Sequence, residues 1–237
     1  MDLLFVTDDD AAKAAQQATT SLPIIFAGVG GNPVEMGLTQ SFAQPGGNIT
    51  GVTNLALELG PKRLQVFQEL LPGLKRVLFP YDATDAYSVE EARVYRDTAR
   101  RLGIALVEHP VRTQEEAQAV LAPVRQGEGD GLLAPRSLSL NIPGFILEAT
   151  AQRALPTMFH NAFWVERGAL ASYGADLYAS GRQAARLVDK ILTGTKPAEI
   201  PVEGNTKIEL VINLNVAKAL GLTIAPAALF QADRLIR

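Results

Sequence analysis

Short apolar runs alternate along this chain with longer segments in which apolar residues recur at helical spacing. The runs show no alternation of polar and apolar positions, which is typical of parallel strands buried on both faces. The repeated order of strand, turn and helix predicts parallel sheets covered by helices on both faces, an α/β fold. The predicted strands are 3–6, 24–29, 49–52, 77–81, 104–107, 131–135, 156–159, 169–174 and 207–212, and the predicted helices are 11–19, 61–71, 89–102, 115–125, 143–154, 176–192 and 213–220.

Two lobes are predicted, because the chain crosses between series of strands near residues 55–60 and returns near 173–176. The predicted N-terminal lobe comprises 1–58 and 175–200, and the predicted C-terminal lobe comprises 59–174 and 201–237. The second lobe carries the longer series of strands, so we expect the first lobe to be a small or incomplete doubly wound sheet. An incomplete sheet exposes an edge strand, and such an edge is expected to pair with another chain as a homodimer.

Charge and composition exclude several classes of function. The 22 Lys and Arg residues and the 25 Asp and Glu residues are mixed along the chain without a basic cluster, so nucleic-acid binding is not expected. The absence of cysteine excludes thiol catalysis, cysteine-ligated zinc and disulfides. No apolar run approaches membrane-spanning length. The first residues lack a signal-peptide pattern, so we expect a cytosolic protein or a chain that begins after its targeting segment.

A glycine-rich loop follows the predicted strand 24–29, where Gly28 and Gly30 precede Asn32 and Pro33. Glycines at the carboxyl end of a buried strand allow a ligand to approach the backbone closely. The loop is close to a dinucleotide-binding fingerprint, but Pro33 occupies the position of the third glycine, so nucleotide binding is disfavoured. A plain turn is the alternative. The chain contains no P-loop and no nucleophile elbow.

The acidic run at residues 8–10 follows the first predicted strand and Thr7. Its carboxylates are expected to cap the next helix, with cation binding as the less favoured alternative. His109 and His160 lie at or just after strand ends and lack the spacing of a helical metal pair. The sequence therefore predicts no catalytic residue, no metal and no cofactor.

A second group of candidates lies at the carboxyl ends of later strands. Arg136 directly follows the predicted strand 131–135, where an arginine could bind a carboxylate in bidentate fashion. Aromatic residues beside polar groups at such strand ends suit a small, partly apolar ligand. The alternatives are an exposed loop for Arg136 and core packing for the aromatic residues. The candidates are Asp82, Arg136, Ser137, Asn161, Phe163 and Tyr173, with Phe159 and Trp164 nearby.

Six segments in order resemble the ABC-transporter substrate-binding proteins of the tryptophan/tyrosine-type uptake family. They are ATTSLPIIFAGVG (18–30), GLTQSFAQPGGNITGV (37–52), KRLQVFQELLPGLKRV (62–77), YGADLY (173–178), AARLVDKILTGTKPAEIPVE (184–203) and LVINLNVAKALGLTI (210–224). The resemblance implies a type I periplasmic-binding fold, in which two α/β lobes close around a ligand. It also implies an extracytoplasmic protein, secreted or lipid-anchored, that presents its ligand to a membrane permease. Aromatic amino acids are among the ligands of the family.

Family members carry a signal peptide and further strand–helix units ahead of the part that matches, so the resemblance also implies that the first lobe lacks its N-terminal part. We interpret the chain as a non-enzymatic solute-binding protein with one wall of its site in each lobe. Backbone donors and Arg136 would bind a carboxylate, the aromatic residues would contact an apolar body, and the lobes would close by a hinge motion. An α/β enzyme for a nucleotide or sugar-phosphate is the alternative, and a transcriptional sensor is disfavoured because no helix-turn-helix precedes the lobes. The first wall is predicted at Thr7, Asp8, Gly28, Gly30 and Asn32, and the second at Asp82, Arg136, Ser137, Asn161, Phe163 and Tyr173.

Overall fold

The computed structural model describes residues 2–122, 129–138, 140–151 and 155–237. Its strands are β1 (Leu4–Val6), β2 (Ile24–Val29), β3 (Ile49–Thr53), β4 (Arg76–Asp82), β5 (Ala105–Val111), β6 (Gly131–Leu133), β7 (Thr157–Phe159), β8 (Ala171–Ala175), β9 (Glu203–Gly204), β10 (Ile208–Asn213) and β11 (Arg234–Ile236). Its α-helices are α1 (Asp9–Ala18), α2 (Ala56–Leu70), α3 (Ala86–Leu102), α4 (Gln114–Leu121), α5 (Ile142–Ala151), α6 (Ala162–Val165), α7 (Leu177–Leu192), α8 (Leu214–Ala219) and α9 (Pro226–Gln231), and Pro197–Glu199 forms a 3-10 helix.

The first compact unit comprises Met1–Ala56 and Ala175–Ile208. Its sheet has the order β1-β2-β3-β9, and neighbouring strands in this order are parallel. Ile24 and Phe26 of β2 pack in one apolar cluster with Ala12 of α1, whereas Ile25 packs in another cluster with Leu187 of α7. Alternate side chains of a strand point to opposite faces, so helices cover this sheet on both sides.

The second compact unit comprises Leu57–Gly174 and Glu209–Arg237, and its sheet has the order β11-β10-β8-β7-β6-β4-β5. Phe79 of β4 packs with Phe67 of α2 and Tyr95 of α3, while the neighbouring Leu78 packs in a separate cluster with Leu121 of α4. The β7–β8, β6–β7, β4–β6 and β4–β5 pairs are parallel. These arrangements confirm the predicted class, two doubly wound parallel-sheet units.

The chain returns to the second unit at Glu209, later than the sequence pattern predicts. Residues 201–208 were expected in the C-terminal lobe, but they lie in the first unit, because β9 pairs with β3 through Val52 opposite Glu203 and Thr53 opposite Gly204. A two-residue strand contains too little sequence for an apolar pattern, so its register could not be predicted.

Several elements differ from their predicted bounds. Helix α2 begins at Ala56 rather than at residue 61, so Pro61 lies inside the helix and not at its first position. The prediction relied on the preference of proline for the first turn of a helix. Strands β9 and β11 and helices α6 and α9 were not predicted, because each is only two to six residues long. The predicted helix ends at 123–125 and 152–154 lie outside the described residues.

Helix starts follow the polar residues at their N-termini. Asp8 caps α1 as predicted, since its Oδ1 accepts a hydrogen bond from the backbone N–H of Ala11 at 2.8 Å. Asp85 and Asp176 accept from two backbone N–H groups each at the starts of α3 and α7.

Among the described residues, no helix combines the length and apolar character needed to cross a bilayer.

Candidate functional site

In the first unit, the candidate residues lie where β1 and β2 end. Thr7 and Asp8 follow β1 and are exposed, and Gly28 lies in β2 with a φ of 110°. A Cβ on Gly28 would lie 3.0 Å from the backbone oxygen of Thr7. The position therefore requires glycine both for its left-handed backbone and for the close approach of these two strand ends.

Asp9, which the sequence treated only as part of a capping run, holds the glycine loop. Its Oδ1 accepts from the N–H of Gly30 at 3.1 Å and from the N–H of Gly31 at 3.2 Å. The backbone donor of Gly30, expected to serve a ligand, is therefore already engaged. Only the parallel register of β1 against β2 brings this carboxylate to the loop, so the chain order gave no signal for it.

Asn32 closes a local turn in this unit. Its side-chain oxygen accepts from the N–H of Val34 at 3.0 Å, and its amide nitrogen donates to the Glu35 carboxylate at 3.3 Å. Both functional ends of the side chain are thus used within four residues, which is the arrangement of an Asx turn.

A polar network that the sequence reasoning missed lies beyond the end of β3, and it is buried at Asn54, Asp176 and Ser180. The hydroxyl of Ser180 donates to the Asn54 side-chain oxygen at 2.7 Å, and the Asn205 amide donates to the Ser180 hydroxyl. Asn205 also donates to the backbone oxygen of Asp176 at 2.9 Å, and Lys207 pairs with the Asp176 carboxylate at 2.8 Å. The network joins the end of β3, the start of α7 and the exit from β9 within the first unit.

In the second unit, polar groups collect at the carboxyl ends of neighbouring strands. Asp82 ends β4, Arg136 and Ser137 follow β6, Asn161 follows β7, and Tyr173 lies in β8. Because these strands are adjacent and parallel, their ends meet at one edge of the sheet. The structure therefore places Asp82, Arg136, Ser137 and Asn161 at this edge of the sheet, with Tyr173 two residues before the end of β8, whereas Phe163 lies in α6.

Arg136 is held from two sides. Its backbone N–H donates to Oε2 of Glu91 at 3.0 Å, and its guanidinium lies 5.1 Å from the ring centroid of Tyr87 in a cation–π arrangement. The residue is half-buried, so the exposed-loop alternative does not describe it. Asp82 is buried and accepts from the N–H and the hydroxyl of Thr84 at 2.7 and 2.6 Å.

A buried polar cluster lies next to these strand ends, and the sequence reasoning did not find it. Arg63 of α2 is fully buried and donates from Nε to the backbone oxygen of Tyr173 at 2.8 Å and from Nη1 to the hydroxyl of Tyr95. The carboxylate of Glu91 lies 4.0 Å from Nη1 of Arg63. His160 is only partly buried as a residue, but its Nδ1 is buried and Arg63 acts on its pKa. We call Arg63, Glu91, Tyr95 and His160 the buried polar cluster.

Burial shifts the pKa values of this cluster. It raises the pKa of Glu91 to about 7, against the opposing pull of Arg63 and Arg136. It holds the pKa of His160 well below the usual histidine value, and both arginines act in the same direction. Glu91 therefore changes charge near neutral pH, while His160 is neutral there.

Asn161 and the aromatic candidates differ in how they are held. Asn161 is the N-cap residue of α6 but makes no side-chain cap, and its Oδ1 is buried without a hydrogen-bond partner among the described residues. The ring of Phe163 lies at 84° to that of Trp164 and is covered on one face by Arg167, whose guanidinium carbon is 3.4 Å from its centroid. Tyr173 packs against the core of the unit, which favours the core alternative for its ring.

His109 lies inside β5, opposite Pro80 of β4, and not after the end of a strand as predicted. The prediction ended this strand four residues too early, because Glu108, His109 and Pro110 interrupt the apolar run before the buried Val111. Among the described ranges, no group of three or more His, Asp or Glu side chains is suited to a metal ion.

Comparison with known proteins identifies the family. The profile of the family described as "ABC transporter substrate binding protein" matches residues 1–236. A tyrosine-binding protein of Clostridioides difficile (strain R20291) is 28% identical over 223 residues, which are 93% of this chain and 63% of that protein. This chain thus spans less than two thirds of the length of that relative.

Solved structures give the same fold. A conserved domain protein from Vibrio cholerae superposes with a TM-score of 0.85 and 30% identity, covering 99% of this chain and 78% of the other. The ABC domain in complex with L-Trp from Streptococcus pneumoniae superposes with a TM-score of 0.83 and 24% identity, covering 99% of this chain and 79% of the other, and this similarity is one of fold. Because the family profile extends over all but the last residue, this chain belongs to the ABC transporter substrate binding protein family.

Proposed function

We propose that this chain is the ligand-binding part of a non-enzymatic solute receptor that serves an ABC permease. Its ligand is a small molecule with a carboxylate and an aromatic body, as in an aromatic amino acid. The observation that carries the proposal is Arg136, a half-buried cation held at the carboxyl end of β6 by Glu91 and Tyr87. A relative named as a tyrosine-binding protein and a structural neighbour in complex with L-Trp support the choice of ligand.

The proposed contacts in the second unit are those at its strand ends. Arg136 would bind the ligand carboxylate in bidentate fashion. Asp82 and Asn161 offer acceptors for an ammonium group, and Phe163, which is 42% exposed, offers an aromatic ring to the apolar body. Ser137 completes this group. Tyr173, which is partly exposed although its ring packs against the core, stays a candidate contact. In the first unit, five residues at the ends of β1 and β2 stay candidate contacts: Thr7, Asp8, Gly28, Gly30 and Asn32. The alternative of an enzyme for a nucleotide or sugar-phosphate has no support from the family match.

Membership in a family of ABC-transporter components supports an extracytoplasmic location and delivery of the ligand to a membrane permease. The extracytoplasmic location and the delivery to a permease are both proposed for the whole protein. A receptor of this kind needs affinity for its ligand but no chemical step, so binding measurements test it directly.

The test uses calorimetric titration of L-tyrosine and L-tryptophan, with tyramine and tryptamine as probes that lack the carboxylate. We expect Arg136→Ala to weaken binding of the amino acids by about 2 kcal/mol, roughly thirtyfold in Kd, because a buried charge pair loses one partner. The two amines should bind weakly and be insensitive to the substitution.

The matched control is Arg234→Ala, which removes an exposed pair with Glu166 in the same unit and should leave affinity unchanged. Binding of tyrosine by the Arg136 variant with unchanged affinity would place this residue outside the site. Absence of binding for every amino acid would contradict the proposed function.

A homodimer through the edge of the first unit is a further part of the proposal. Strand β1 is the end of the sheet order, and its Phe5 side chain is 47% exposed. We expect light scattering to give the mass of a dimer and Phe5→Lys to give a monomer, because a charge on an edge strand opposes pairing. Phe230→Lys, at a residue 93% exposed on α9, is the control and should leave the dimer intact. A monomeric wild-type protein would contradict edge pairing.

A further inference from the structure

Glu91 is an acidic residue on the inner face of α3 whose carboxylate reaches a loop 45 positions away in the chain. Its side chain is 1% exposed, and its Oε2 accepts the backbone N–H of Arg136 at 3.0 Å. A buried carboxylate is unfavourable unless its charge and hydrogen bonds are compensated. Its position directly against the loop that carries Arg136 therefore indicates a role in holding that loop.

The carboxylate is only partly compensated. Its Oε1 has no hydrogen-bond partner among the described residues and lies 4.0 Å from Nη1 of Arg63, which is itself bonded to the Tyr95 hydroxyl. Among the residues that the structure describes, the N–H of Arg136 is thus the hydrogen-bond donor that holds the carboxylate. Hydrogen bonds to an ionised carboxylate are roughly twice as strong as those to a neutral acceptor, so the strength of this contact depends on the charge of Glu91.

Several charged or titratable groups face Glu91, and together they decide its charge. Arg63 and Arg136 favour the ionised form, whereas burial and Asp85 at the N-terminus of α3 oppose it, which leaves the pKa of Glu91 at about 7. Tyr95, which shares Arg63 with it, is buried and neutral because burial raises its pKa. His160 is also neutral near pH 7. The groups that act on Glu91 come from α2 (Arg63), α3 (Asp85 and Tyr95) and the segment after β6 (Arg136). Tyr87 of α3 faces Arg136, His160 after β7 faces both arginines, and Tyr173 of β8 faces Arg63.

We propose that Glu91 is a positioning residue for the ligand site: its ionised carboxylate holds the backbone of Arg136, and with it the guanidinium over Tyr87, in the arrangement that binds a carboxylate. Protonation weakens this hold, so ligand affinity follows the charge of Glu91 and rises as the solution changes from mildly acidic to mildly alkaline. The inference rests on the proposed function for its effect on affinity. Its effect on the Arg136 loop is independent of any ligand.

The first measurement uses the ligand-free full chain and the amide resonance of Arg136 in a nitrogen-15 correlation spectrum between pH 5.5 and 8.5. We expect the resonance to titrate with a midpoint near 7 in the wild type and to stay constant in Glu91→Gln, whose amide oxygen still accepts the N–H. A constant resonance in the wild type would overturn the proposal. The same titration in Glu91→Gln, or a midpoint well below 6.5, which belongs to His160, would also overturn it.

The second measurement is the Kd of L-tryptophan at pH 6 and pH 8. The wild type should bind about fivefold more tightly at pH 8, as expected for gain of a charge-assisted hydrogen bond. Glu91→Gln should bind equally at both values, and Glu91→Ala, which removes the acceptor, should bind about tenfold more weakly than the wild type at pH 8. Titration of the ligand itself would appear equally in all three proteins.

The outcomes separate the two proposals. A wild-type pH profile in Glu91→Gln, or wild-type affinity in a cooperatively folded Glu91→Ala, would overturn the positioning role while leaving the receptor function in place. Failure of every amino acid to bind the wild type would overturn the receptor function, and the Arg136 resonance would still decide the role of Glu91.

Discussion

Replacing Arg63 by methionine is expected to lower the free energy of unfolding by about 3–5 kcal/mol at pH 8, because it leaves the buried carboxylate of Glu91 without its cation. Arg63 is fully buried and joins three elements: it lies on α2, donates to Tyr173 of β8 and contacts Tyr95 and Glu91 of α3. Methionine fills an irregular apolar space well, so the lost charge and hydrogen bonds should dominate over lost volume. Urea unfolding followed by circular dichroism measures the effect.

The loss of stability in Arg63→Met should be smaller in acid. The direction of this pH dependence follows from the protonation of Glu91. Because the folded protein raises the pKa of this carboxyl from 4.5 to about 7, the folded state holds the proton more tightly than the unfolded chain. The free energy of unfolding contributed by Glu91 is therefore highest below pH 4.5 and falls as pH rises to 7. Without Arg63 the ionised form is less stable still, so the variant should recover part of its stability at pH 5.5, where Glu91 is protonated.

A double-mutant cycle with Glu91→Gln tests this explanation. The double variant should be more stable at pH 8 than Arg63→Met alone, since the uncompensated charge is gone. Arg100→Met is the matched control on α3, with a side chain 73% exposed, and should change stability by less than about 0.5 kcal/mol. Equal losses in Arg63→Met at pH 5.5 and pH 8 would show that the charge of Glu91 is not the cause.

The candidate residues at the strand ends of the second unit could be predicted, because each of them lies within a few residues of the end of an apolar run. Arg136 follows β6 by three residues and Asn161 follows β7 by two, so the parallel sheet inferred from the runs was enough to group them. Whether a side chain or backbone donor at those ends is available to a ligand depends on its neighbours from other elements, which the sequence order does not reveal. Phe163 is covered by Arg167, and the donor of Gly30 is taken by Asp9.

Arg63 and Glu91 show what the sequence could indicate only in part. Both occupy inner-face positions of amphipathic helices, Arg63 beside Leu64 and Phe67, and Glu91 beside Ala92 and Tyr95. A charged residue on an apolar stripe is itself a signal of a buried pair. The partner could not be named, because α2 and α3 meet only after both pack on the same face of the sheet.

Gly174→Ala is expected to destabilise the protein by about 3 kcal/mol or more, with loss of the structure around β8, because the added methyl group has no space. A Cβ at this position would collide with the backbone oxygen of His160 and lie 2.9 Å from its backbone carbon. Backbone atoms of the neighbouring strand end cannot rotate away as a flexible side chain can. The carbon would also lie 3.7 Å from Nη2 of Arg63, so any shift would disturb the hydrogen bond from Arg63 to Tyr173.

The matched control for this prediction is Gly181→Ala in α7, where an added Cβ meets nothing within 4 Å. There the substitution should stabilise the helix by about 0.5–1 kcal/mol, because alanine loses less backbone freedom than glycine on folding. The two variants add the same methyl group, so opposite signs in thermal and urea unfolding would separate steric collision from helix propensity. A Gly174→Ala protein with wild-type stability would mean that β8 and the residues after β7 can separate without loss, and the role assigned to Arg63 in joining them to α2 and α3 would then be wrong.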